Sequence, residues 1–123
     1  MPNMKTEENF LAVDKQTAVH YFWGGKCDSW VLVDSAGLSV KQESMPGGTK
    51  EKRHFHTHAQ QFFFIMKGKA TFYPENEKII VGEQKGLLIK PGTKHYIANE
   101  TTEVLEFLVI SQPTTNQDRI TLE

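Results

Sequence analysis

Short apolar runs, separated by glycine and proline, restrict the fold of this chain of 123 residues. The run 38–43 alternates in the way a strand does, with Leu38, Val40 and Gln42 on one face. The run 103–110 is almost entirely apolar and the run Phe62–Phe64 is wholly aromatic, which predicts that both strands are buried on both faces. Beyond residue 18 no helical period of apolar residues persists, and the single helix candidate is the stretch 5–13. The pattern predicts an all-β fold.

Regular spacing of these runs predicts how the strands are arranged. Short strands bounded by turn residues are typical of antiparallel sandwiches and barrels. We divide the chain into an N-terminal arm (1–17), a β-barrel (18–111) and a C-terminal tail or edge segment (112–123). The predicted strands are 18–23, 30–33, 38–43, the histidine segment from 54, 61–66, 70–73, 78–81, 86–89, 94–98 and 103–110.

Composition excludes several classes of protein. A net charge of −1 gives no reason to expect a nucleic-acid partner. The first twenty residues lack the apolar centre of a signal peptide, and no segment has the length of a membrane span. Cys27, the single cysteine, cannot form a disulfide within the chain, which fits a reducing compartment. We therefore expect one cytoplasmic domain that binds neither nucleic acid nor membrane.

Histidine is concentrated at one place in the sequence. His54, His56 and His58 fall within five residues, and His95 follows a Pro91-Gly92 turn. On a strand, His54 and His56 project from the same side. A third imidazole from a later strand would complete a site suited to zinc, copper, iron or nickel. His58 is either an alternate ligand or a neighbour of the site, and a surface position is the favoured interpretation.

Two stretches resemble the motifs of the cupin family. The first runs from Gly48 through His54-Phe55-His56 to Gln61 and Gly68, with the spacing of the first cupin motif. The second, Pro91-Gly92-Thr93-Lys94-His95 followed after three residues by Asn99, is similar to the second motif. Gln61 stands where the family usually has a glutamate, and Lys90 and Gln84 replace a proline and a glycine of the second motif.

The resemblance implies a fold and a site. The fold is a small antiparallel double-stranded β-helix, or jelly-roll barrel. The implied ligands of one mononuclear divalent transition metal ion, such as Fe, Mn, Ni, Zn or Cu, are His54, His56, Gln61 and His95. Because an amide oxygen cancels no charge, this set would leave the full positive charge of the ion inside the barrel. We therefore hypothesise a small-molecule ligand or substrate that is anionic.

Three functions fit these observations. The first is a small-molecule metalloenzyme, either of dioxygenase type or of isomerase or lyase type, as the resemblance implies. The second is a non-catalytic module that binds or senses a small ligand, and the third is a barrel without metal. Lys41 and Glu43 share a face of the strand before the site. They are candidate acid–base groups, but a solvated face is the favoured interpretation. The resemblance also implies a homodimer, with the aromatic segment 21–23 and the apolar run at Trp30 at its interface.

Overall fold

Eleven strands make up the described part of the chain, residues 10–123 of a computed structural model. No helix occurs within that range, so the all-β prediction is confirmed. The helix candidate at 5–13 lies mostly outside the described residues, and residues 10–13 are not helical. The strands are β1 (Val19–Trp23), β2 (Cys27–Asp34), β3 (Ser39–Met45), β4 (His54–Phe55), β5 (Gln60–Lys67), β6 (Ala70–Phe72), β7 (Ile79–Val81), β8 (Gly86–Ile89), β9 (Ile97–Ala98), β10 (Leu105–Gln112) and β11 (Ile120–Thr121).

Three antiparallel sheets form the barrel. The largest has the strand order β1-β2-β3-β10-β5-β8, and the others are β7-β6-β9 and β11-β4. Crossovers such as β3 to β10 and β10 to β5 bring distant segments of the chain together in the large sheet. Gly68, between β5 and β6, has a φ of 91° and lies against the backbone of Val104, where a Cβ would be 2.7 Å from the carbonyl oxygen. Glycine is therefore required at that turn.

The apolar core lies between the sheets, and only one face of each long strand is fully buried. Along β10 buried residues alternate with half-buried ones, with Phe107 completely buried. On β5, Phe63 is buried whereas Phe62 is 37% exposed. The prediction that 103–110 and the Phe62–Phe64 run are buried on both faces is therefore wrong. Within the described residues no helix covers the outer face of these strands, and the apolar outer residues remain partly in water.

The C-terminal segment after β10 returns to the barrel as an edge strand. β11 pairs with β4 through Ile120 opposite Phe55 and Thr121 opposite His54. The amide of Leu122 also donates to the carbonyl of Arg53 at 2.9 Å. These bonds hold the end of the chain beside the first histidine strand.

One edge of the large sheet carries exposed apolar side chains. β1 is the outermost strand, and Val19 and Phe22 are 70% and 68% exposed. The homodimer implied by the sequence stays a prediction, which light scattering would test. Among residues 10–123, no helix has the length and apolar character needed to cross a membrane.

Candidate metal centre

Backbone pairing brings the two histidine segments together. His54 and His95 form an isolated antiparallel bridge, in which each amide donates to the other's carbonyl at 3.0 and 2.9 Å. The amide of Gly92, in the turn before His95, donates to the carbonyl of His56 at 2.7 Å. Gly92 has a φ of 80°, which a glycine adopts without steric cost. Residues 41 positions apart in the chain thus become direct neighbours.

The three imidazole rings form one buried cluster. The ring centroids of His54 and His95 are 4.5 Å apart, and His56 lies 4.9 Å from His54 and 5.9 Å from His95. The nitrogens available as ligands all lie within 4.8 Å of one another. The three side chains are no more than 4% exposed. This arrangement can hold a metal ion.

Hydrogen bonds fix which nitrogen of each ring is free. Each Nδ1 lies 2.7–2.8 Å from a backbone carbonyl, that of Lys52 for His54, of Asp118 for His56 and of Thr93 for His95. A carbonyl oxygen only accepts, so each Nδ1 carries the proton and each Nε2 keeps a lone pair.

Two of these Nε2 atoms are buried without a partner. Among the described residues, no donor reaches Nε2 of His56 or of His95. A buried polar atom left unpaired is costly, and a metal ion is the partner such a lone pair suits. The donor set therefore fits a divalent transition metal.

Gln61 adds an oxygen to the same interior. Its side-chain Nε2 donates to the hydroxyl of Ser111 at 3.1 Å, which leaves the amide Oε1 as the free end. That oxygen is buried and has no donor among the described residues. Gln61 is positioned by β5 and paired in register with Ser111 on β10. An amide oxygen held in this way is a candidate fourth ligand.

A cavity of about 640 Å³ opens beside the cluster. Phe63, two residues after Gln61 on β5, lines the same cavity. Lys41 and Glu43 also line this cavity, so the solvated face predicted for them is wrong. Their strand β3 directs residues 39, 41, 43 and 45 inward, because Ser39 and Met45 on that face are buried. The full lining is Tyr21, Trp23, Gly24, Lys41, Glu43, Lys50, Glu51, Lys52, His54, His56, Gln61, Phe63, Ile97, Val109, Ser111, Thr115 and Arg119.

Sequence comparison agrees with this geometry. A family model for the cupin domain matches residues 40–111. The chain belongs to the cupin family. An uncharacterized protein of Methanocaldococcus jannaschii is 29% identical to this cupin over 75 residues, which are 61% of this chain and 60% of that protein. This cupin thus spans less than two thirds of the length of that curated relative.

Solved structures similar to this cupin share its fold. A conserved double-stranded β-helix protein from Klebsiella pneumoniae has a TM-score of 0.77 at 18% identity, covering 93% of this chain and 98% of that one. A predicted oxalate decarboxylase from Thermotoga maritima has a TM-score of 0.76 at 15% identity, with coverages of 85% and 100%. A cupin-superfamily sugar phosphate isomerase from Silicibacter pomeroyi has a TM-score of 0.74 at 17% identity, with coverages of 85% and 76%. At these identities the likeness concerns the fold alone.

Asp118 is a site residue of this cupin that sequence reasoning missed. Its carboxylate accepts the backbone amides of Thr57, His58 and Ala59 at 2.7, 3.0 and 3.0 Å. Its own carbonyl accepts Nδ1–H of His56. Desolvation raises the pKa of the Asp118 carboxyl, but the three amide hydrogen bonds lower it, and the net result is a lowered pKa. No local signal marks this role, because the partners lie about sixty residues away in sequence.

His58 lies outside the cluster. Its side chain is exposed, and its amide is the group that bonds to Asp118. β4 ends at Phe55, and the turn that follows carries His58 away from the face of His54 and His56. The surface interpretation of His58 agrees with this position.

Burial keeps the clustered imidazoles neutral. Desolvation is the main cause that lowers the pKa of His54 to about 3 and that of His95 to about 4, and it also lowers the pKa of His56. Two carboxyl groups of the cavity shift the other way, since desolvation raises the pKa of Glu43 to about 7 and that of Glu51 to about 8. At neutral pH the histidines are in the form that binds metal.

These shifts predict how acid affects the metal-free protein. Between pH 6.5 and about 4 the unfolded chain protonates His95 and the folded chain does not, so stability falls as pH falls through this window. The lowered pKa of His95 alone would reduce the free energy of unfolding by about 3 kcal/mol across this window. Above pH 4.5 the raised pKa values of Glu43 and Glu51 change stability in the opposite direction. Because both glutamates are also present in His95→Gln, comparing this variant with the native protein isolates the contribution of His95. Urea denaturation should show that the free energy of unfolding of the variant, relative to that of the native protein, is higher at pH 4 than at pH 7. A difference between the two proteins that is the same at both pH values would contradict the lowered pKa of His95.

Proposed function

We propose that this cupin is a small metalloenzyme that acts on an anionic small molecule. Its metal would be held by Nε2 of His54, His56 and His95 and by Oε1 of Gln61. The observation that carries the proposal is the set of Nε2 lone pairs gathered in one buried cluster, two of them without a partner among the described residues. A bound divalent ion would supply Lewis-acid or oxygen-activating chemistry at this point.

The cavity favours catalysis over simple binding. The proposed ligand set leaves coordination positions for a substrate, as catalytic metal sites do. Glu43 lines the same cavity, and its pKa of about 7 suits a group that exchanges protons at neutral pH. Proton transfer is central to isomerase and lyase reactions, so we favour that type over a dioxygenase. The names of two fold relatives, a predicted oxalate decarboxylase and a sugar phosphate isomerase, are compatible with anionic substrates.

Charge is the basis for the anionic substrate. Three neutral imidazoles and one amide cancel none of the charge of a divalent ion, and the three rings are almost completely buried. In such surroundings the ion attracts an anionic group more strongly than a neutral group of the same shape, so the anionic group should bind more tightly. Oxalate and its neutral diamide, oxamide, provide that comparison.

The test begins with metal analysis of protein purified without chelator. We expect about one transition metal ion per chain after loading, and oxalate binding at least tenfold tighter than oxamide binding in calorimetry. A chain that takes up no Fe(II), Mn(II), Ni(II) or Zn(II) would refute the metal site, and equal binding of both probes would refute the anion preference. A turnover screen with the same four metals addresses catalysis. Ligand binding without turnover would favour the sensor module.

A further inference from the structure

Part of the cavity lies away from the histidines and is built by the first three strands. Tyr21 on β1 and Glu43 on β3 are aligned across the sheet, because each pairs with Ser29 on β2. Lys41, two residues before Glu43, donates from Nζ to the hydroxyl of Tyr21 at 2.8 Å. All three line the cavity, together with Trp23. We call Tyr21, Trp23, Lys41 and Glu43 the polar wall.

The polar wall offers both donors and acceptors. The ammonium of Lys41 has two protons beyond the one given to Tyr21. The indole N–H of Trp23 is buried and finds no acceptor among the described residues. Glu43 contributes carboxyl oxygens on the same side. A ligand group here meets donors and an acceptor next to aromatic rings.

Within the polar wall one cationic side chain, Lys41, is matched by one acidic side chain, Glu43. The rest of the cavity lining carries three more cationic side chains and one more acidic one, namely Lys50, Lys52, Arg119 and Glu51. Arg119 lies 3.9 Å from Glu51, whose other oxygen accepts the amide of Ile97 at 3.1 Å. At the wall itself an anionic group would meet Glu43, and an ammonium group would meet Lys41. This pair favours an uncharged ligand group that can both donate and accept, which is the property of a hydroxyl group.

The polar wall and Gln61 lie on strands that are not direct neighbours in the large sheet. Lys41 on β3 pairs with Val109 on β10, which pairs with Phe63 on β5, the strand of Gln61. Two strand spacings separate β3 from β5, which is roughly 10 Å. A ligand that reaches from the wall to Gln61 crosses the width of β10, which suits an extended chain better than a compact anion.

We propose that the polar wall binds the hydroxyl groups of a polyhydroxylated carboxylate, a sugar-acid type of substrate, whose carboxylate lies toward the histidine cluster. This inference rests on the proposed function for the carboxylate end and on the wall for the hydroxyl end. Glu43 accepts from the hydroxyl groups, Lys41 and Trp23 donate to them, and the rings of Tyr21 and Trp23 contact the C–H faces of the chain.

The experiment uses four probes with six-carbon chains and the zinc-loaded full chain. D-gluconate has hydroxyls and a carboxylate, hexanoate has only the carboxylate, sorbitol has only hydroxyls, and 6-aminohexanoate adds an ammonium group. By calorimetry we expect gluconate to bind at least about tenfold tighter than each of the others. Gluconate binding no tighter than hexanoate, or weaker than 6-aminohexanoate, would overturn the proposal.

Variants separate the wall from the metal. In Glu43→Met or Lys41→Met, the advantage of gluconate over hexanoate should fall to about threefold or less, with hexanoate affinity and zinc content unchanged. Glu77→Met changes an exposed glutamate outside the cavity lining and should keep the full advantage. An unchanged advantage in both wall variants would overturn the proposal. Zinc content reports on the metal site separately, so failure of the proposed function appears as absent zinc rather than as lost discrimination.

Discussion

The His56→Gln variant is expected to bind Zn(II) at least about 100-fold more weakly than the native protein. Changes that only disturb the partners of a ligand already cost 10–100-fold in metal affinity, so removing a ligand should cost at least as much. His56 is buried, and its Nε2 lies in the cluster without a partner among the described residues. Glutamine keeps a polar side chain of similar size, so the loss should reflect the imidazole rather than a cavity.

His58→Gln is the matched control for this prediction. It makes the same chemical change two residues away, on a side chain that is exposed and outside the cluster. Its zinc affinity should stay within about threefold of the native value, since surface changes seldom exceed 0.5 kcal/mol. Competition against a chromophoric chelator measures both affinities. Equal losses in the two variants, or no loss in His56→Gln, would remove His56 from the metal site.

Replacing Asp118 by alanine should have the second largest effect. The change removes the acceptor of three backbone amides, those of Thr57, His58 and Ala59. Hydrogen bonds to a charged group contribute about 1.5–3 kcal/mol each, but solvent reaches this partly exposed turn. We therefore expect the free energy of unfolding to fall by about 2–4 kcal/mol in total. Zinc affinity should fall by about 10–100-fold, because the carbonyl that orients His56 belongs to the same residue.

A loss of stability alone would not establish that Asp118 orients His56. Nitrogen NMR of the metal-free protein reports which ring nitrogen of His56 carries the proton. The native protein should show the proton on Nδ1, and Asp118→Ala should show a mixture of tautomers. Asp34→Ala, on an exposed aspartate at the end of β2, serves as the control and should change neither measurement. A single Nδ1–H tautomer in Asp118→Ala would contradict the orienting role.

Local patterns predicted much of the fold. Turn residues and short apolar runs located most strands, because glycine and proline end strands for reasons contained in a few neighbouring residues. The cupin motifs identified the family, and their spacing named the three histidines that the structure brings together. Burial was predicted less well. An apolar residue such as Phe62 reveals nothing about whether another layer covers it, and here none within the described residues does.

An all-β cupin with a histidine cluster could be predicted from the amino-acid sequence alone, since strand periodicity and turn signals depend on residues close along the chain. The surroundings of that cluster became known only from the folded chain. Lys41 and Glu43 face the cavity because of the inward register of β3, and Asp118 reaches the turn after His56 because the chain folds back across the barrel. These positions depend on pairing between distant strands, which no local run of residues encodes.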